Sequence, residues 1–262
     1  MSDYFRSLTE RERSAFFARL AHIAYEEPGI AIPAFYNFGF NSEYIAKEDA
    51  ELYVLQSKTD IIVTCRGSQP KQLRDIRTDL QAWPRSNPNS PQGLIHFGFN
   101  KYVNKVWREV AAIIIASPSK SVWFTGHSLG AAMASIMAIY CQVNPILSDP
   151  VGLFTFGSPK TGTKDFVKQA KGIYHERWVN NIDIVTRVPF GLLGYRHFGT
   201  EMYLNHWGNY RKVTKWQKIK DRWRGFFVGL KNKRANHFRN HTMENYLANI
   251  ESWRDDRENS QG

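Results

Sequence analysis

The feature that most constrains the fold of this chain is a five-residue turn, Gly-His-Ser-Leu-Gly at residues 126–130, between two apolar segments. Residues 121–125 before it have the composition of a strand, and the alanine-rich residues 131–140 after it favour a helix. A glycine at each end of the turn lets a strand and a helix approach closely around a serine. The pattern predicts that Ser128 lies at the tip of a sharp strand-turn-helix junction, the arrangement known as a nucleophile elbow.

Strand and helix patterns alternate along the rest of the chain. Besides the strand before the turn, strands are predicted at residues 51–56, 60–65, 152–156, 174–182 and around 202–204. Besides the helix after the turn, helices are predicted at residues 9–25, 97–116 and 240–253. This alternation predicts an α/β fold, with a mainly parallel central sheet and helices on both faces. A chain of 262 residues can form this fold as a single domain, predicted here as residues 1–262.

Composition narrows the classes of protein that fit. The two cysteines, Cys65 and Cys141, lie in apolar runs and are predicted to be buried thiols. No spacing of Cys and His residues predicts a metal site, and no cofactor is predicted. The first residues lack the apolar core of a signal peptide, and no apolar stretch is long enough to span a bilayer. We therefore expect a cytoplasmic protein, or one exported by a non-classical route.

A serine hydroxyl becomes a strong nucleophile when a histidine accepts its proton and a carboxylate orients that histidine. After an elbow serine, the acid and then the histidine follow in chain order. Asp183 is the favoured acid because it lies on a loop at the end of a predicted strand. Asp149 and Asp165 lie in polar turn or helical contexts, where a solvated carboxylate is the simpler interpretation.

Four histidines follow the acid: His197, His206, His237 and His241. The first two flank a predicted strand and fit structural roles equally well. The last two share the loop that leads into the final helix. Asn240 is a suitable N-cap there and favours His241, but the residues alone leave His237 open.

An acyl-transfer site also needs hydrogen-bond donors for the oxyanion. The backbone N–H of Leu129, directly after the serine, is one candidate. Ser68, which follows a buried strand and a glycine, could supply a second N–H and a hydroxyl. The alternative interpretation of residues 66–68 is an ordinary turn.

Together with the elbow, seven further segments resemble the class 3 lipases, the family of the filamentous-fungal triacylglycerol lipases and their bacterial relatives. The segments are Leu-Ala-His-Ile-Ala-Tyr at 20–25, Cys-Arg-Gly-Ser at 65–68, Asp-Ile-Arg-Thr-Asp-Leu at 75–80, Ile-His-Phe-Gly-Phe at 95–99, Phe-Gly-Ser-Pro-Lys at 156–160, Asn-Asn-Ile-Asp at 180–183 and Asn-His-Thr-Met-Glu-Asn-Tyr at 240–246. They occur in the order that the family requires.

This resemblance implies an α/β-hydrolase fold. It also implies a serine carboxylester hydrolase of lipid esters, of the triacylglycerol type, that works through an acyl-enzyme. It implies that Ser128 is the nucleophile, Asp183 the orienting acid and His241 the general base. An oxyanion hole of Ser68 and Leu129 is implied in the same way, with Asp79 as a hydrogen-bond acceptor for the former.

The alternatives within this interpretation are a phospholipase A1, a short-chain esterase, or a lipid- or partner-binding module that kept the fold without turnover. Residues 69–80 lie where the fungal enzymes carry an apolar lid, but they are mostly polar in this chain. Whether residues 69–95 or 211–236 act as a lid is left open by the sequence.

Positive charge is concentrated in one insertion between the acid and the histidine. The chain has a net charge of +11, and residues 211–239 contain eleven Lys and Arg against one acid, a net of +10. At helical spacing, one stripe of this segment carries Trp216, Trp223, Phe226 and Phe227. An aromatic stripe backed by basic residues is typical of a helix lying in a membrane interface, where the basic residues attract anionic head groups.

The competing interpretation of the insertion is a helix that packs on the protein's own core, with its charges solvated. Nucleic-acid binding is disfavoured because the aromatic residues share one stripe and are not interleaved with the basic ones for base stacking. The partners predicted are therefore a lipid ester and an anionic membrane surface. The sequence predicts no oligomeric state.

Overall fold

The computed structural model describes residues 2–67, 83–181, 183–189, 194–205, 207–210, 214, 216–217 and 241–253. Its helices are α1 (Ser2–Ser7), α2 (Glu10–Ile23), α3 (Pro28–Asn37), α4 (Phe97–Ile115), α5 (Leu129–Val143), α6 (Lys164–Lys168) and α7 (Met243–Glu251). Its strands are β1 (Asn41–Lys47), β2 (Ala50–Gln56), β3 (Asp60–Cys65), β4 (Pro84–Asn87), β5 (Ser90–His96), β6 (Ser121–His127), β7 (Pro150–Phe156), β8 (Gly162–Thr163), β9 (Tyr174–Asn180), β10 (Tyr195–Arg196) and β11 (Thr200–Leu204).

A seven-stranded sheet forms the centre of the fold, in the order β1-β2-β3-β6-β7-β9-β11. The first three strands pair antiparallel, and β3, β6, β7, β9 and β11 are parallel. In register, Cys65 lies opposite Gly126 and His127 lies opposite Phe156, so β3, β6 and β7 end together. The prediction of a mainly parallel sheet is therefore confirmed. The loops at the carboxyl ends of these strands lie together at one edge of the sheet, where sheets of this kind bind their ligands.

Helices cover both faces of this sheet, as predicted. On one face, α4 buries the stripe Val103, Val106, Val110 and Ile114 beside α5. Residues 129–141 of α5 are all buried, which explains why its sequence is apolar on every side. On the other face, α1, α2, α3 and α7 pack around a core rich in aromatic residues.

Some elements were not predicted from the sequence. The helix α3 shows no helical stripe, because only Ala31 and Phe35 of its ten residues are buried. The strands β4, β5, β8 and β10 form a small second sheet, and β8 and β10 have two residues each. The final helix begins at Met243 with Thr242 as its N-cap, later than predicted, and Asn240 lies outside the described residues.

Two further expectations concern the burial of the cysteines and the length of apolar helices. Cys65 and Cys141 are buried free thiols, as predicted, and burial raises the pKa of both. Within the described ranges, no helix combines the length and the apolarity that a bilayer span requires. Of the basic insertion, only residues 214, 216 and 217 are described, so its helical form and the single-domain division stay predictions.

Candidate active site

Three predicted residues meet at the carboxyl edge of the sheet. The His241 ring places Nε2 2.7 Å from Ser128 Oγ and Nδ1 2.8 Å from Asp183 Oδ2. The serine lies between β6 and α5, the acid lies in the loop after β9, and the histidine directly precedes the cap of α7. All three side chains are buried, which shields their interactions from water.

The serine lies on the sharp turn that the glycines predicted. Its φ of 58° and ψ of −123° form a conformation that residues other than glycine rarely adopt. The backbone N–H of Ser128 donates to the carbonyl of Phe156 at 3.0 Å and holds the turn against β7. A Cβ on Gly130 would lie 2.2 Å from the carbonyl oxygen of Cys65, so α5 can begin this close to β3 only with glycine there.

The carboxylate of Asp183 accepts hydrogen bonds on both oxygens. Oδ1 accepts from the backbone N–H of Val185 at 2.9 Å, and Oδ2 accepts from the Tyr246 hydroxyl at 2.7 Å as well as from His241. The Tyr246 hydroxyl in turn accepts from the backbone N–H of Asn180 at 2.9 Å. These partners satisfy a charge that would be costly to bury alone.

Sequence analysis missed Tyr246, although it belongs to the segment that resembles the family's histidine loop. Burial, followed by the charge of Asp183, raises the pKa of this tyrosine well above its ordinary value. The hydroxyl therefore keeps its proton and remains a donor to the acid. The sequence signal that could have identified Tyr246 is its position, one turn into the helix that follows His241.

The turn after β7 leaves room for the histidine ring. Gly157 has a φ of +61°, and a Cβ there would lie 2.9 Å from His241 Nδ1 and 3.0 Å from Asp183 Oδ2. Glycine is required at this position both for its backbone conformation and for the space it leaves.

The other predicted site residues fall into two groups. Leu129 is the first residue of α5, where a backbone N–H has no acceptor within the helix, and it adjoins Ser128. Trp216 is 74% exposed. The remaining ones lie outside the described residues: Ser68, Asp79, Trp223, Phe226 and Phe227.

Of the three histidines that compete with His241, the structure describes one, His197. His197 donates from Nε2 to the carbonyl of Thr186 at 2.7 Å, and burial lowers its pKa to about 3, which fits a structural role. His206 and His237 lie outside the described residues. Within the described ranges, no group of three or more His, Cys, Asp or Glu side chains is arranged to hold a metal ion.

Comparison with known proteins identifies relatives of this chain. Residues 62–192, half of the chain, match the family model described as lipase (class 3). A lipase from Rhizomucor miehei is 32% identical over 156 residues, which cover 56% of this chain and 42% of that protein. The secreted mono- and diacylglycerol lipase 1 of Fusarium solani is 31% identical over 173 residues, which cover 62% of this chain and 47% of that protein.

The fold has solved counterparts. The structure of Rhizomucor miehei lipase in its propeptide complex superimposes with a TM-score of 0.65 at 26% identity, over 75% of this chain and 70% of that chain. The prediction of an α/β-hydrolase fold is thereby confirmed. The matched part of this chain spans less than half the length of either curated relative.

The expectation of a cytoplasmic protein is contradicted by these relatives. The Fusarium solani relative is a secreted lipase, as its name states. The secreted relative therefore overturns the inference drawn from the composition of the first residues.

Proposed function

This chain belongs to the class 3 lipase family, and we propose that it is a serine carboxylester hydrolase that cleaves lipid esters, of the triacylglycerol type. One observation carries the proposal: a single imidazole bridges a hydroxyl and a carboxylate, at 2.7 Å from Ser128 Oγ and 2.8 Å from Asp183 Oδ2. This geometry lets one ring take a proton from the serine while the acid stabilises the charge that the ring gains.

The reaction runs in two halves. Ser128 Oγ attacks the ester carbonyl carbon while His241 Nε2 takes the hydroxyl proton, and the carbonyl oxygen becomes an oxyanion. The C–O bond to the alcohol then breaks, and the imidazolium gives its proton to the leaving alcohol. A water molecule attacks the acyl-enzyme with the same histidine as base, and the fatty acid leaves as the serine hydroxyl is restored.

Asp183 serves this cycle by fixing the imidazole. Its Oδ2 accepts from Nδ1 of His241, so the Nε2 lone pair is directed at the serine. The donors from Val185 and Tyr246 stabilise the carboxylate as an anion and hold it in place. The acid therefore needs little rearrangement when the imidazolium forms.

The oxyanion hole belongs to this proposal. The N–H of Leu129 would be one donor, aided by the partial positive charge at the beginning of α5. The N–H and hydroxyl of Ser68 would be the second, with Asp79 accepting from that hydroxyl. In support, β3 ends beside the serine turn, since Cys65 pairs with Gly126.

The test is covalent labelling by a fluorophosphonate, together with hydrolysis of tributyrin. Ser128→Ala should abolish both, because it removes the attacking oxygen. Ser135→Ala is the matched control: this serine is equally buried, it lies on the helix that follows Ser128, and its hydroxyl donates to the carbonyl of Ala131 at 2.8 Å. If folded wild-type protein is neither labelled nor active, the proposal fails and a lipid-binding module without turnover is favoured.

We further propose that the basic insertion binds an anionic lipid surface through Trp216, Trp223, Phe226 and Phe227. Trp216 is 74% exposed, as such a contact requires, and residues 211–239 hold a net charge of +10. Each basic residue near an anionic surface contributes about 1 kcal/mol to binding at ordinary salt. Aromatic side chains would add apolar burial at the level of the head groups.

Co-sedimentation with vesicles tests this binding. The double variant Trp223→Ser, Phe227→Ser should lose binding to anionic vesicles while still hydrolysing dissolved tributyrin. Ile146→Ser is the control, because this exposed side chain lies just before β7, at the opposite edge of the sheet from Ser128. Undiminished sedimentation of the double variant would rule out the proposed contact.

A further inference from the structure

A second hydrogen-bonded chain runs behind the candidate active site. The Tyr25 hydroxyl lies 2.7 Å from His127 Nδ1, and His127 Nε2 bonds the backbone carbonyl of His241. His127 directly precedes the nucleophile, so the residue beside the serine is tied to the main chain of the base. Tyr25 comes from the loop after α2, far away in sequence.

The chemistry of these partners fixes where the protons lie. A carbonyl oxygen can only accept, so Nε2 of His127 must donate to His241. In a neutral imidazole the other nitrogen then accepts, so Nδ1 takes the hydrogen bond from the Tyr25 hydroxyl. The tyrosine thereby stabilises the tautomer of His127 whose Nε2 donates to the backbone of His241.

Burial keeps both groups in these states. It lowers the pKa of His127 well below its ordinary value, and it raises the pKa of Tyr25. The histidine is therefore neutral and the tyrosine protonated over the ordinary pH range. A neutral ring matters because the two imidazoles are 4.6 Å apart, where a charge on His127 would oppose protonation of His241.

The same hydroxyl also lies close to Gly67, two residues after the end of β3. A Cβ on Gly67 would lie 2.2 Å from the Tyr25 hydroxyl and 2.5 Å from the carbonyl oxygen of His127. The chain that leads into Ser68 therefore passes directly over this pair. Tyr25 touches the serine turn and the segment before the proposed oxyanion donor at once.

We propose that Tyr25 is a positioning residue for this reaction, which acts through the tautomer of His127 to hold His241 in line with Ser128. The proposal rests on the proposed function, since it assigns a role within that site. Small displacements of catalytic groups can slow a reaction by about 100-fold. Because the hydroxyl bonds His127, we expect Tyr25→Phe to lower kcat by about 10-fold and to leave KM unchanged.

The matched control is Tyr140→Phe. Tyr140 is also buried, and its hydroxyl also makes one side-chain hydrogen bond, to Asn100 Oδ1 at 2.6 Å, on α5 well beyond the serine turn. Both variants should lower the thermal midpoint by a similar amount, but only Tyr25→Phe should slow tributyrin hydrolysis and fluorophosphonate labelling. If the two variants keep the same kcat, the inference is overturned.

A double-mutant cycle separates action through His127 from a general loss of packing. His127→Phe keeps a flat ring without either hydrogen bond, and adding Tyr25→Phe to it should lower kcat no further. His127→Gln, which can still donate to a carbonyl, should retain more activity than His127→Phe. Additive losses in the cycle would overturn the inference.

The controls also distinguish failure of this inference from failure of the proposed function. If wild-type protein is inactive toward tributyrin and unlabelled, the proposed function is wrong. If wild-type protein is active and Ser128→Ala is inactive, but Tyr25→Phe matches Tyr140→Phe, only the positioning role is wrong.

Discussion

The missing side chain of Gly157 provides space that the ring of His241 occupies. A Cβ there would press on His241 Nδ1 and Asp183 Oδ2 at 2.9 and 3.0 Å, and φ is +61°. Neither group can yield without disturbing the bond between them. At the scale of single residues, the candidate site therefore depends on the space left at Gly157 as well as on its three polar side chains.

Replacing Gly157 by alanine should lower both stability and activity. The positive φ alone costs an L-residue about 1–2 kcal/mol, and displacement of the imidazole should lower kcat on p-nitrophenyl butyrate by about 100-fold. Gly194→Ala is the control, because its φ is +80° and its Cβ would approach Thr163 alone among the described residues, at 3.8 Å. Equal activity of the two variants, at equal loss of unfolding free energy, would contradict this account.

Local sequence patterns point to the proposed nucleophile and acid, and the structure brings both within hydrogen-bond distance of one histidine ring. Ser128 follows from its flanking glycines, and Asp183 from its place at a strand end. His241 was not separable from His237 by the residues alone, because both share one loop. Tyr246 was missed because its bond to the acid depends on how α7 packs against the loop after β9, which no local pattern encodes.

At the scale of elements, the helix that follows His241 is docked by its contacts with α2. The side chain of Arg19 pairs with Glu251 at 2.7 Å, and Arg11 donates to the carbonyl of Glu251 at 2.7 Å. At its other end α7 is capped by the Thr242 side chain, which accepts from the backbone N–H of Asn245 at 3.4 Å. The cap directly follows His241, so fraying of this turn would reach the candidate active site.

Removing this cap should affect the reaction as well as the fold. Thr242→Ala should lower the unfolding free energy by about 1 kcal/mol and should also reduce kcat for tributyrin. Thr9→Ala removes the cap of α2, which forms a capping box with Glu12, and should cost a similar amount without changing kcat. The comparison needs denaturant unfolding and initial rates, and a normal kcat for Thr242→Ala would count against the coupling.

The elements that could be predicted are those whose buried positions appear in the sequence as apolar runs or as apolar residues at regular spacing. Strand β3 is buried throughout and carries an apolar run at residues 61–63, and α4 carries a clear stripe. By contrast, β5 has three buried residues among seven, so its sequence shows no strand pattern. The position of such elements is decided by what they pack against.

At the scale of the whole molecule, one buried acid links stability to pH. Glu176 on β9 accepts hydrogen bonds from Ser14 on α2 and from Tyr174 and Trp178 on its own strand. Desolvation nevertheless raises its pKa above the ordinary value. The folded state therefore binds this proton more tightly than the unfolded state does.

Glu176→Gln should consequently stabilise the protein at high pH. Because the folded pKa is raised, the ionised acid reduces stability once the pH exceeds the ordinary value for glutamate, and this loss is complete above the folded pKa. Glutamine is neutral at every pH, so its advantage should be present at about pH 8 and vanish at about pH 4. Thermal unfolding at both pH values measures this, and an advantage that does not vary with pH would contradict it.

The backbone of Ser128 has an implication for how such a chain evolves. Its φ of 58° suits glycine, so glycine at this position would relieve strain and favour the folded state. Random substitution followed by selection for stability alone would therefore tend to erase the serine. Retention of Ser128 in a lineage therefore implies selection for the proposed activity. An inactive descendant is expected to lose Ser128 before it loses the surrounding core.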